Sequence, residues 1–414
     1  MTRDAISTLS LLLVAALVAR FLASVLRIPE ILVLVAMGAL FGPSVLDFVD
    51  VPLDSIGAQL MFTLGVSLIL FWGGLNLSLP VLRRVWVGLG MLVVPGVIIT
   101  TVIVGAIAYL VFDLPFEAAL LVGAVLSPTD PAILIPLFVR SRLRPKVAQT
   151  VVAESAFNDP TGAALALTLA GVLLTGDSSI AAPVGEFAAD LAISTVIGVV
   201  AGLLLSLAIS SHRTGIWRES SALAVLTVVT ISYFSLDSAG GSGYLGAFLA
   251  GLIVGNMGHL GLAMHEDHER AMRAFAFNMA DLITLFVFVV LGANIPFSDL
   301  GDNFAPALAV LAALMLVARP VTVLACTLPD RGGAWTGREL IFLCWTRETG
   351  VVPAALVGVL AGLGVPHTEV YASVVALAIV LTLLLQALPA AWLAGRLGLL
   401  DAPRTVPVAT RRAA

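Results

Sequence analysis

About thirteen times along this chain, some twenty residues in succession pass with almost no charge, the length an α-helix needs to cross the hydrocarbon core of a bilayer. The runs lie at approximately 5–26, 30–48, 57–79, 85–111, 117–139, 147–174, 185–211, 220–236, 241–258, 271–293, 304–327, 337–362 and 369–396. Of the 414 residues, 60% are hydrophobic and 11% charged, against roughly 25% charged in soluble domains. The fold class expected is an all-α polytopic membrane protein of about 13 transmembrane helices. With a formal net charge of -5 and no basic stripe, nucleic-acid binding is set aside. The first run is too long for a signal-peptide core and lacks a small-residue cleavage site, so it reads as a membrane helix. Cys326 and Cys344 lie in or beside apolar runs and read as small hydrophobes rather than as a disulfide or metal pair.

The connections alternate in charge. Arg27, Arg83, Arg84, Arg140, Arg142, Arg144, Lys146, Arg213, Arg218, Arg270, Arg273, Arg331 and Arg338 fall on one side, joined by Arg396, Arg404, Arg411 and Arg412. The opposite side holds Asp47, Asp50, Asp54, Asp113, Asp177, Glu186, Asp237, Asp299, Asp302 and Glu369. By the positive-inside rule the C-terminus is cytoplasmic and the N-terminus, with Arg3 alone, is outside, which requires an odd number of spans.

Two runs are interrupted as the others are not. The fifth carries Pro128, Pro131 and Pro136 around Thr129 and Asp130; the twelfth carries Thr346-Arg347-Glu348-Thr349-Gly350 and then Pro353. Each proline removes a backbone donor and opens its helix, which membrane depth tolerates only beside protein or water. The breaks are an odd number of spans apart, so the two helices run in opposite directions. Matched interruptions of this kind point to an inverted-repeat transporter with a midplane site. The expected division is approximately 1–174 for a first repeat of six spans and 175–212 for a linking seventh, then 213–398 for a second six-helix repeat and 399–414 for a short cytoplasmic tail.

An ionisable group inside such a run marks a functional site. Opened half-helices leave partial positive and negative ends facing the gap, and Asp130 and Arg347 have the signs to neutralise them. The carbonyl freed at Thr129 can coordinate a cation. In the sixth run, Glu154 and Asn158 share one helix face and Ser155 and Asp159 a second, each pair four residues apart. Hard oxygens from Asp159, Ser155 and Thr129 suit a small alkali cation, with Asp130 grouped among the ion- and proton-binding residues. Burial disfavours the charged form of a carboxyl, so Asp159 is expected to hold a proton or a metal ion but not both, and that competition couples two gradients.

Arg319, before Pro320 in the eleventh run, is one of two arginines predicted deep in the membrane. It is expected to pair with Glu154, with Asn158 bonded to the same guanidinium. Glu348 is expected to pair with Arg347, and Asp281 to line a cytoplasmic funnel. The charged stretch from His265 to Glu269 reads as a solvated turn, and Phe71 to Leu75 as small residues for close helix packing with Trp72 narrowing the ion path.

Thr129-Asp130-Pro131, the Glu154-Ser155-x-x-Asn158-Asp159-Pro160 motif, Arg319-Pro320 and Arg347 in a broken twelfth span resemble the NhaP-type cation:proton antiporters, relatives of the animal sodium/proton exchangers. The resemblance covers essentially the whole chain. It implies two crossed broken helices, a homodimer in the plasma membrane, and an elevator-like exchange of Na+ or Li+ for H+, without a cofactor and without enzymatic chemistry. It further implies electroneutral one-for-one exchange from the Asn158-Asp159 pair, ion binding by Asp159, Ser155 and Thr129, and a supporting network of Glu154, Asn158 and Arg319. Two departures stand out: Trp72 occupies a place where many members have an acid, and Glu348 follows the arginine where Gly is usual, as in variants assigned to potassium or general cation exchange. K+/H+ exchange is therefore the alternative within the class. An ion channel lacks a filter sequence here. An intramembrane hydrolase would need Asp130 and Asp159 in contact.

Overall fold

The computed structural model describes residues 2–26, 28, 30–53, 55–130, 143–176, 181–211, 215–295 and 297–400. The readings made on Arg27, Asp54, Pro131, Pro136, Arg140, Arg142, Asp177, Arg213 and residues 401–414 lie outside the described residues. Within them the chain is helical. In order, the helices are α1 (Thr2–Leu26), α2 (Glu30–Phe41), α3 (Ile56–Leu75), α4 (Leu79–Val93), α5 (Pro95–Phe112), α6 (Phe116–Val125), α7 (Pro145–Thr175), α8 (Ala181–Ile209) and α9 (Ser221–Ala239). They continue as α10 (Gly243–Gly255), α11 (Glu266–Ala293), α12 (Phe297–Ala313), α13 (Arg319–Thr327), α14 (Gly337–Trp345), α15 (Val351–Gly362), α16 (Thr368–Thr382) and α17 (Ala390–Arg396).

Nine helical stretches among the described residues are long and apolar enough to cross a membrane, and four shorter apolar helices lie in others of the expected runs. Local chemistry sets their ends. Ser55 and Ser242 accept from backbone N–H groups at the starts of α3 and α10, and Thr336 with Glu339 forms a capping box at α14. Pro95 separates α4 from α5 within one expected run. The stretch from Glu266 to Glu269 is not a turn: it forms the opening turn of α11, where acidic residues meet the positive end of the helix.

One part of the bundle is held by backbone touching backbone. A Cβ on Gly38 of α2 would come within 2.1 Å of the Val289 carbonyl of α11, and one on Gly292 of α11 within 2.2 Å of the Val35 carbonyl of α2. The same reciprocity joins α3 to α10, where Gly74 faces the Phe248 carbonyl at 2.2 Å and Gly251 faces the Phe71 carbonyl at 2.0 Å. Small residues permit this approach, and it supplies the packing that apolar contact with lipid does not. Gly74 thus fulfils the close-packing reading, whereas a Cβ on Gly73 would meet nothing within 4 Å. The Trp72 ring lies 5.7 Å from that of Phe277 of α11, tilted against it by 53°.

The remaining part, with α5, α6, α7, α13 and α14 to α16, contains the breaks. The twelfth run holds two helices, α14 and α15, with residues 346–350 non-helical between them. In the fifth, α6 ends at Val125 and residues 127–130 leave the helix. The two openings touch: the Asp130 N–H donates to the Glu348 carbonyl at 2.9 Å.

Candidate ion site

At the crossing, each break supplies the charge that the other lacks. The α6 C-terminus leaves carbonyls without helical partners, and Arg347 from the second break donates to those of Leu126 (2.5 Å) and Ser127 (3.0 Å). The α15 N-terminus leaves N–H groups unpaired, and Asp130 from the first break accepts from the Val351 N–H at 3.2 Å. A buried guanidinium thus meets a negative helix end and a carboxylate meets a positive one. Gly350 makes the second contact possible, because a Cβ there would lie 2.0 Å from Asp130 Oδ2.

Thr129 is bound to α7 through every polar group it has. Its N–H donates to Asn158 Oδ1 (3.2 Å), its hydroxyl accepts from Asn158 Nδ2 (2.9 Å) and approaches Ser155 Oγ (3.1 Å), and its carbonyl accepts from the Ser155 hydroxyl. Asn158 was expected on Arg319. Its amide instead bonds with Thr129, which offers a backbone N–H donor left free by the break and a hydroxyl acceptor on that face. The break and α7 are therefore joined as one unit.

Asp159 is half-buried, and its Oδ1 is fully enclosed without a hydrogen-bond partner. The groups that act on it are Asp130 and the Thr129 backbone. A carboxylate oxygen enclosed in this way needs a proton or a cation. Pro160 follows within the helix and removes the N–H that the Ala156 carbonyl would have bonded. The oxygen donors here (carboxylate, hydroxyl and carbonyl) are those that alkali cations take.

Glu154 and Arg319 form the expected pair. Both are 3% exposed, and the fork is bidentate, with Nη1 on Oε1 and Nη2 on Oε2 at 3.1 Å. Arg319 also donates to the carbonyls of Leu343 (2.8 Å) and Thr346 (3.0 Å), which end α14. A third half-helix end is thereby compensated, a role the sequence reading left to Arg347 alone. A π-turn at Leu314–Ala318 immediately precedes Arg319, and such turns recur at functional sites. Between this pair, Asn158, Arg347, Thr100 and Thr322 lies a void of about 10 Å³, close to the least that holds one water.

One expected contact differs, and one pair was not expected. Glu348 forms no ion pair with Arg347 among the described residues; it is buried and its Oε1 has no partner, while Arg347 turns to the α6 carbonyls. Asp281 pairs at 2.9 Å with Arg20, which also pairs with Glu30 at 2.7 Å, so Arg20 ties α1 to α2 and α11. Arg20 also lies inside an apolar run, and was passed over when Arg319 and Arg347 were read as the two deep arginines. The signal was present: an arginine at an apolar helix end with Glu30 opening the next run.

Residues 11–395 match the family described as sodium/hydrogen exchanger, transmembrane. The chain is 29% identical over 359 residues to the probable Na+/H+ antiporter 2 of Methanocaldococcus jannaschii, covering 84% of this chain and 82% of that one. It is 30% identical over 401 residues to the K+/H+ antiporter NhaP2 of Shewanella sp. strain ANA-3, covering 92% of this chain and 66% of that relative's length. Among solved structures, the sodium proton antiporter MjNhaP1 of M. jannaschii at pH 8 superposes with a TM-score of 0.80 at 26% identity, covering 95% of this chain and 99% of that one. The crossed openings, the paired Glu154 and Arg319, and the match across nearly all of its length place this chain in the transmembrane sodium/hydrogen exchanger family.

Proposed function

We propose that the protein is a secondary active antiporter that exchanges Na+ or Li+ for H+, with cation and proton competing for Asp159. The observation that carries this is the enclosed, unpartnered Oδ1 of Asp159, on the helix face of Ser155 and beside the open backbone at Thr129. In this reading Asp159, Ser155 Oγ and the Thr129 oxygens form the cage, Asp130 steadies the break, and Glu154, Asn158 and Arg319 hold α7 in register.

Charge counting supports one-for-one exchange. Glu154 and Arg319 cancel and Asp130 and Arg347 serve half-helix ends, which leaves Asp159 and the buried Glu348; with Glu348 kept neutral by its own proton, Asp159 is neutralised by one Na+ or one H+. Moving one net charge is worth about 2.3 kcal/mol per 100 mV, so a carrier neutral in both directions ignores voltage. K+/H+ exchange is the second reading, favoured by the K+/H+ antiporter name of the NhaP2 relative and by Trp72 where an acidic ligand would strengthen Na+ binding.

The wider assignment is a homodimeric carrier of the plasma membrane, not an enzyme, with an N-terminus outside and a C-terminus in the cytoplasm. Residues of approximately 1–174 and 213–398 act as two inverted repeats. The joined break and α7 would move as one body against the glycine-packed bundle. Proteoliposomes enclosing a pH dye test it. Addition of Na+, Li+ or K+ is expected to change internal pH, and Asp159→Asn to abolish the change while the protein stays folded; no response to any of the three ions rejects the proposal.

A further inference from the structure

Between α8 and α9, away from the ion site, the bundle has a lateral groove of about 540 Å³, within the ~300–1,000 Å³ range of small-molecule sites. Its rims are Val200 and Leu204 of α8 and Ile231 of α9, all exposed, and its floor is the half-buried Ala201 and the fully buried Leu205. Trp217 closes one end, with its backbone N–H bonded to the Ala208 carbonyl at 2.9 Å. Both walls belong to helices long and apolar enough to span a membrane. The groove therefore opens into hydrocarbon, where water does not fill it.

Beyond Trp217, just outside the groove's lining, the chain continues with the exposed Arg218 and Glu219. Arg218, next to Trp217, is exposed and forms no ion pair among the described residues. Tryptophan settles at headgroup depth, and a free arginine there attracts the phosphate of an anionic lipid. We propose that this groove is a binding site for one acyl chain of an anionic phospholipid, whose phosphate is held by Arg218. α8 also packs through Gly198 and Gly202 onto Gly246 and Ala250 of α10, so the occupant braces a wall of the rigid bundle.

Native mass spectrometry of the full, delipidated chain in detergent tests this, with dioleoyl phosphatidylglycerol and dioleoyl phosphatidylcholine added in separate titrations. One phosphatidylglycerol adduct per chain is expected, several-fold more populated than the phosphatidylcholine adduct. Arg218→Gln should bring the two lipids level, and Ala201→Trp, which fills the floor, should remove both adducts. Melting temperature and cation-driven proton flux report whether each variant is folded, and Val200→Trp on the rim serves if Ala201→Trp does not fold. No adduct in the wild type, or adducts undiminished in the folded tryptophan variant, overturns the proposal. So does a lipid-free dimer that the same variant dissociates, since the occupant is then a second copy of the chain.

Discussion

The bundle of α2, α3, α8, α10 and α11 and the crossing of the two breaks solve the same problem in opposite ways. In the first, glycines let carbonyls of one helix lie against the next, and the helical backbone satisfies itself. In the second, backbone groups are left open and the side chains of Arg347, Asp130, Arg319, Asn158 and Ser155 satisfy them. A surface closed by sterics alone has nothing to exchange. One closed by polar side chains leaves Asp159 Oδ1 unpartnered, so the proposed exchange is assigned to the region whose backbone is incomplete.

The comparison can be broken most severely at Arg319. Arg319→Ala leaves Glu154 buried without a counter-charge and uncovers the carbonyls of Leu343 and Thr346, a loss of about 3–5 kcal/mol, visible as a fall in melting temperature in detergent. Adding Glu154→Ala should restore part of it, as a coupled pair does. In the glycine-packed bundle, Gly251→Val forces two backbones apart at the Phe71 carbonyl, at a cost of about 1–3 kcal/mol. The yield of folded protein should fall while the cation dependence of the surviving molecules stays unchanged.

Gly350→Ala sharpens the contrast. The new methyl collides with Asp130 and breaks its bond to the Val351 N–H, a stability loss of about 1 kcal/mol, but exchange should fall further than that number suggests because the crossing is displaced. The smallest effect is expected at Arg20→Gln. Its side chain is 45% exposed, so the lost pairs with Glu30 and Asp281 are worth about 0–1 kcal/mol, and less at high salt.

Much of the polar region was legible because charge in an apolar run has few excuses. Glu154 and Arg319 had to find each other, and prolines with Thr-Arg-Glu-Thr-Gly at 346–350 marked the twelfth-run break where it occurs. Direction was less legible than membership. Asn158 shares a face with Glu154, yet its amide turns to the N–H and hydroxyl of Thr129, since spacing along a helix does not say which neighbour offers a donor and an acceptor. Glu348 and Arg347 are adjacent in sequence, yet Arg347 turns to the α6 carbonyls while Glu348 Oε1 has no hydrogen-bond partner. Of the glycine contacts only the close packing at Gly74 was legible, and not its partner: Gly38 and Val289, likewise, meet only through the register of two helices far apart in the chain.

The most direct test of a shared site at Asp159 is the apparent KM for Na+ (or for K+, if that is the preferred ion) in proteoliposomes at successive pH values, for the wild type and Asp159→Asn together. Competition for one carboxyl predicts a KM that rises about tenfold for each unit of acidification once the proton occupies the site, and no flux in the variant. A KM that does not change with pH, or sustained exchange by Asp159→Asn, would contradict it.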